Sequence, residues 1–125
     1  MKIYLVVALG GAAGAMARYG VDSAILRAAG PGFPWGTVTV NLIGSLLLGL
    51  LIGAAAHGLH LSQEMRALVV TGFLGAFTTF STFSLNTVTL IERGESLQAL
   101  GYVLGSVMFG IGLFFIGLRA WRLLA

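Results

Sequence analysis

The chain has 125 residues, 58% of them hydrophobic and only 9% charged, with a mean hydropathy of +0.98. These values exclude an ordinary soluble globular domain and indicate an integral, multi-pass membrane protein. The formal net charge of +3 would suggest nucleic acid in a soluble chain, but here the seven cations are spread over segment ends. In that position they are snorkelling anchors facing lipid headgroups, and no nucleic-acid partner is expected.

A hydrocarbon core needs about 20 apolar residues per helical span. Stretches without Lys, Arg, Asp or Glu cover 28–63, 67–91 and 96–118, and a shorter one, 3–17, closes at Arg18. The chain is therefore read as all-α, a single transmembrane domain over 1–125 with helices at about 3–26, 35–58, 67–91 and 97–120. A barrel reading fails because no segment alternates for long enough.

The first segment begins with Lys2 and an apolar run, and "AMA" at 15–17 imitates a signal-peptide cleavage site. However, Gly10, Gly14 and Arg18 recur at i+4 on one face, which points to a retained helix built for packing. "AGPGFPWG" (29–36) is a clear breaker. On the second helix Thr37, Asn41, Ser45, Gly49 and Gly53 form one polar-to-small stripe at four-residue spacing. His57 and His60 sit at its end, in the link "HGLHLSQEMR" (57–66), where a solvated role is expected.

The third segment carries the unusual chemistry. "FTTFSTFS" (77–84) holds five hydroxyls and three phenyl rings in eight uncharged positions, and it follows Gly72 and Gly75. Such a stretch makes a poor continuous helix, so a break in mid-span is expected. Irregular backbone at membrane depth is tolerated where it is buried in protein or lines a polar cavity, and its freed carbonyls suit a hard cation such as Na⁺. Phe80, Phe83, Ser84 and Thr87 lie on one side at i, i+3, i+4 and i+7. After the tight link "ERGES" (92–96), the fourth helix repeats the stripe with Tyr102, Ser106 and Gly110.

Each stripe alone is explained by packing and by Ser and Thr back-bonding to i−4 carbonyls. Three in one small protein favour a shared polar path. No carboxylate or lysine sits in the middle of a span, so proton-coupled transport lacks its usual titratable group. No nucleophile–base pair or metal-ligand cluster appears, so an enzyme is not expected, and the lack of cysteine excludes disulfides and thiolate metal sites. Amide and hydroxyl groups can donate hydrogen bonds to an anion without trapping it with a fixed positive charge. The positive edges of Phe80 and Phe83 can do the same.

In "GGAAGAMARY" (10–19), "GTVTVNLIGSLLLG" (36–49) and "GFLGAFTTFSTFS" (72–84), the chain resembles the Fluc (CrcB) fluoride channels over essentially its whole length. The resemblance implies a passive, fluoride-selective channel in the inner or plasma membrane that exports F⁻ after HF has entered the cytoplasm. It implies an antiparallel, dual-topology homodimer with two pores and a structural Na⁺ that is not transported. Carried over by motif, Gly75 and Thr78 offer backbone carbonyls to Na⁺. Phe80 and Phe83 are the pore aromatics, with the hydroxyls of Ser81 and Thr82 between them. Asn41 is the pore asparagine, Tyr102 and Ser106 the polar track of helix four, and Arg18 a vestibule arginine. Where some relatives carry a further hydroxyl on that track, this chain has Gly110.

The charge distribution agrees weakly with antiparallel insertion: Lys2, Arg66, Arg119 and Arg122 share one side, against Arg27, Arg93 and Arg18. The rival reading is a small multidrug-type four-helix exporter. It normally needs a glutamate within the membrane, whereas Glu64, Glu92 and Glu95 fall at helix ends.

Overall fold

The computed structural model describes residues 1–124, so Ala125, the last residue of the expected domain, lies outside it. The described residues form an all-helical protein with four helices long and apolar enough to cross a membrane: Lys2–Ala29, Trp35–Ala56, Gln63–Glu92 and Ser96–Leu124. The ends differ from the hydropathy reading by up to four residues, because charged residues at the water interface extend a helix without raising its hydropathy.

In chain order, α1 (Lys2–Ala29) stops at Gly30, whose φ of 79° lets its N–H return to the Leu26 carbonyl. The proline-rich link then delivers α2 (Trp35–Ala56). The third span begins as α3 (Gln63–Arg66), capped by Ser62 Oγ accepting the Met65 N–H at 3.1 Å. It runs on as a π-helical stretch, Ala67–Leu74, in which the Gly75 N–H reaches back to the Val70 carbonyl, and then as α4 (Gly75–Phe77). Thr78 and Thr79 are extended (ψ 159° and 115°) before α5 (Phe80–Glu92) resumes. A short turn with Gly94 at φ 79° leads into α6 (Ser96–Leu124).

Glycine decides which helices touch. A Cβ at Gly10 or Gly14 on α1 would run into the backbone carbonyls of Leu68 and Phe73 respectively. One at Gly72 would stand 2.9 Å from the Val7 carbonyl oxygen. The first span and the π-helical stretch therefore approach backbone to backbone. The α2–α6 pair is built the same way: Gly49 faces the Phe114 carbonyl, and a Cβ at Gly117 would sit 2.7 Å from Leu46 O and Leu50 N. Within lipid, water gives helices no hydrophobic reason to associate, so this close van der Waals contact does the work. Trp121 adds a hydrogen bond from Nε1 to the Leu50 carbonyl at 2.8 Å.

Candidate functional site

The two extended residues are held by a side chain 38 positions away. Asn41 Oδ1 accepts the Thr79 N–H at 2.8 Å, and Asn41 Nδ2 donates to the Thr79 carbonyl at 3.1 Å. One carboxamide thus satisfies both backbone polar groups of a residue that lies between the two flanking helices. Thr79 then starts α5: its Oγ1 accepts the Thr82 N–H at 3.2 Å and donates to Thr82 Oγ1 at 3.0 Å.

These bonds have a consequence for the carbonyls before them. In an uninterrupted α-helix the N–H of residue 79 would bond the carbonyl of Gly75, and that of residue 82 the carbonyl of Thr78. Here both N–H groups are taken by side chains. The carbonyls of Gly75 and Thr78 are released from those helical partners. Gly75 is exposed, and Thr78 is half-buried with its Cγ2 against Gly44. Thr78 Oγ1 donates to Leu74 O at 2.9 Å, so this hydroxyl is spent locally.

A cavity of about 310 Å³ opens beside the break, lined by Asn41, Ser45, Thr78, Thr79, Phe80, Phe83 and Ser106 among others. Every polar group on that lining is neutral. Asn41 keeps one N–H after bonding Thr79. Ser106 Oγ is buried and has no hydrogen-bond partner among the described residues, which is a costly state unless something else fills it. The Phe80 and Phe83 ring centroids lie 5.6 Å apart with planes at 48°. Phe80 is 79% exposed on the chain, while Phe83 is half-buried.

Behind Phe83 is Tyr102, 1% exposed, with ring centroids 5.0 Å apart. The structure places Tyr102 in the interior of the chain's fold and not on the cavity lining. Its hydroxyl accepts from Asn86 Nδ2 at 3.3 Å, and the same Nδ2 group donates to Thr37 Oγ1 at 2.9 Å. This Thr37–Asn86–Tyr102 cluster joins α2, α5 and α6. The sequence signal for Asn86 is only its position, one turn beyond Thr82 and three residues beyond Phe83.

Thr82 and Arg18 line a second cavity, of about 260 Å³, with Asp22, Thr37 and Thr79. Thr79 therefore borders both spaces. Asp22 lies seven residues before the end of α1, and its carboxylate packs directly against Gly36. Ser81 is exposed, with Oγ 3.4 Å from Thr79 Oγ1. So Asn41, Phe80, Phe83 and Ser106 meet in one cavity, Thr82 and Arg18 in the next, and Tyr102 stands behind the first. Among the described residues, no three His, Asp or Glu side chains gather into a metal-binding group.

A family profile described as CrcB-like protein, Camphor Resistance (CrcB), matches residues 5–118 of the chain. Among curated proteins, the fluoride-specific ion channel FluC of Allorhizobium ampelinum is 48% identical over 122 residues, covering 98% of both chains. The protein of the same name from Agrobacterium fabrum is 50% identical over 116 residues, 93% of both chains. The one from Paracoccus denitrificans is 51% identical over 119 residues, 95% of this chain and 94% of the relative.

Proposed function

Since the chain belongs to the CrcB-like family, whose curated relatives are named fluoride-specific ion channels, we propose that it is a fluoride-selective passive channel and not an enzyme. The observation that supports this reading is the neutral cavity, lined by Asn41, with its spare N–H, by Ser45 and Ser106 and by two phenyl rings. Fluoride is a small anion that must exchange its water for other donors. Hydroxyl, amide and ring-edge donors supply that exchange, and none is strong enough alone to hold the ion. The path carries F⁻ down its gradient, out of the cytoplasm and across the inner or plasma membrane.

The pathway is completed by a second, antiparallel copy. Phe80 is 79% exposed on the protomer, and the cavity it lines is not enclosed by a single chain, so a partner is needed to close it. The released carbonyls of Gly75 and Thr78 fit a hard monovalent cation, and the lack of carboxylates on that lining favours Na⁺ over Ca²⁺. When bound, Na⁺ would supply a fixed charge that offsets the carbonyl dipoles. Gly75 and Thr78 are the residues proposed to hold it.

The multidrug-exporter reading is disfavoured by the cavity itself, because no carboxylate lines it. The test is flux from reconstituted liposomes. F⁻ should leave passively, without a pH gradient, while Cl⁻ is retained. Equal Cl⁻ and F⁻ efflux, or strict dependence on a proton gradient, sinks the reading.

A further inference from the structure

Ser45 stands one helical turn beyond Asn41 on α2, and both line the 310 Å³ cavity. On the facing helix α6, Gly110 stands one turn beyond Ser106. A Cβ built at Gly110 would lie 3.7 Å from Ser45 Oγ and 3.9 Å from Leu42 Cδ2, so Ser45 points across the gap at the place where α6 has no side chain. Several neighbouring hydroxyls are spent on their own helices: Thr78 bonds Leu74 O, Ser84 bonds Phe80 O and Thr87 bonds Phe83 O. Ser45 makes no such back-bond to the Asn41 carbonyl among the described residues, and its hydroxyl remains available to the cavity.

We propose that Ser45 is an anion-ligating residue of the pathway, supplying a hydroxyl from α2 at the level where α6 has only Gly110. This deepens the fluoride reading and rests on it. The donors then run from Asn41 and Ser106 to Ser45, so an ion leaving the first pair meets another neutral donor about one turn, roughly 5.4 Å, further along α2. A gap there would leave a dehydrated anion beside apolar Leu48 and Val107 with no replacement for its lost water, which is an expensive position. The same geometry makes the hydroxyl transferable. A Cβ at Gly110 meets its neighbours at ordinary van der Waals distance, and Ser45→Ala removes the nearest of them, the Ser45 Oγ, so a small side chain is tolerated there.

The experiment compares wild type, Ser45→Ala, the double variant Ser45→Ala/Gly110→Ser and the control Ser45→Ala/Gly110→Ala in liposomes, reading F⁻ and Cl⁻ efflux. Size-exclusion profiles and detergent melting curves report assembly. Ser45→Ala should assemble normally and slow F⁻ efflux about fivefold, the loss expected from one neutral hydrogen bond. Gly110→Ser should restore efflux to within about twofold of wild type, and Gly110→Ala should not. Wild-type efflux from Ser45→Ala overturns the proposal. So does equal rescue by Ser and Ala at 110, which would make the effect one of volume, or no rescue by Ser. Failure of the fluoride reading itself shows separately, as wild-type vesicles that retain F⁻ or pass Cl⁻ equally well, and it takes this inference with it.

Discussion

Asn41 holds the N–H and the C=O of Thr79 together, so truncating it unpairs two polar groups at membrane depth. Asn41→Ala should therefore destabilise the protein by about 2–4 kcal/mol as well as slow transport. Asn41→Asp keeps the acceptor for the Thr79 N–H but turns an anionic oxygen toward the Thr79 carbonyl, and it adds a negative charge to an anion path. F⁻ efflux should fall below detection, with stability no better than in the alanine variant. Efflux at the wild-type rate in Asn41→Asp would show that the amide faces away from the ion.

The two rings separate transport from folding. Phe80 is 79% exposed on a single copy of the chain, so Phe80→Ile should leave the fold of each copy intact, with any loss of stability confined to assembly. Phe83 packs on Tyr102 and on the cluster of Leu90 and Ala99, so Phe83→Ile should cost about 1–2 kcal/mol. Both remove a positive ring edge, and both should cut F⁻ flux sharply. Unchanged flux in both variants would leave the rings as packing alone.

At the scale of elements, backbone contact predicts which glycines matter. Gly14→Ala and Gly49→Ala drive a methyl group into the Phe73 and Phe114 carbonyls, neither of which can swing away. Each should destabilise by about 1–3 kcal/mol in detergent unfolding. Gly20→Ala meets nothing within 4 Å on the same helix as Gly14 and should be neutral or slightly stabilising. Equal effects at all three positions would mean that helix propensity, not interhelical contact, governs this chain.

The interruption at Thr78 and Thr79 makes a different prediction. If Gly75 and Thr78 carbonyls hold Na⁺, prolonged exchange into N-methylglucamine should abolish flux and weaken assembly, with both recovered on adding Na⁺. A reversal potential that tracks Na⁺, or full activity in its absence, would rule out a structural ion. Thr78→Ser keeps the backbone and the hydroxyl donor, so it should change Na⁺ dependence little.

For the whole molecule, the open cavity predicts a dimer. Light scattering in detergent should give two protomers, and cysteines introduced at exposed Phe80 or Gly75 should cross-link between copies of the chain. With four spans, the Lys2 end and the Leu124 end lie on one side, where Arg66, Arg119 and Arg122 also fall. That bias over Arg18, Arg27 and Arg93 is small. Labelling of a terminal tag in intact cells should find both orientations, and moving one or two arginines should shift the ratio. A single fixed orientation would remove the antiparallel dimer.

The number of spans, their approximate ends and the proline–glycine break after α1 were legible in the sequence because hydropathy and turn chemistry are local properties. Four-residue spacing likewise places Asn41 and Ser45 on one face of α2 without any knowledge of its neighbours. Which faces meet is a property of contacts between distant residues, and only the tertiary structure decided it. Asn41 was legible as a polar residue in a span, but its bonds to Thr79 join positions 38 residues apart. Asn86 went unnoticed because its partners Thr37 and Tyr102 lie on two other helices. Nineteen glycines signal close packing in general, yet Gly14 touches backbone and Gly20 touches nothing, since helix rotation sets which one faces the partner. Helix period and hydropathy lie within one segment, whereas a cavity exists only between segments.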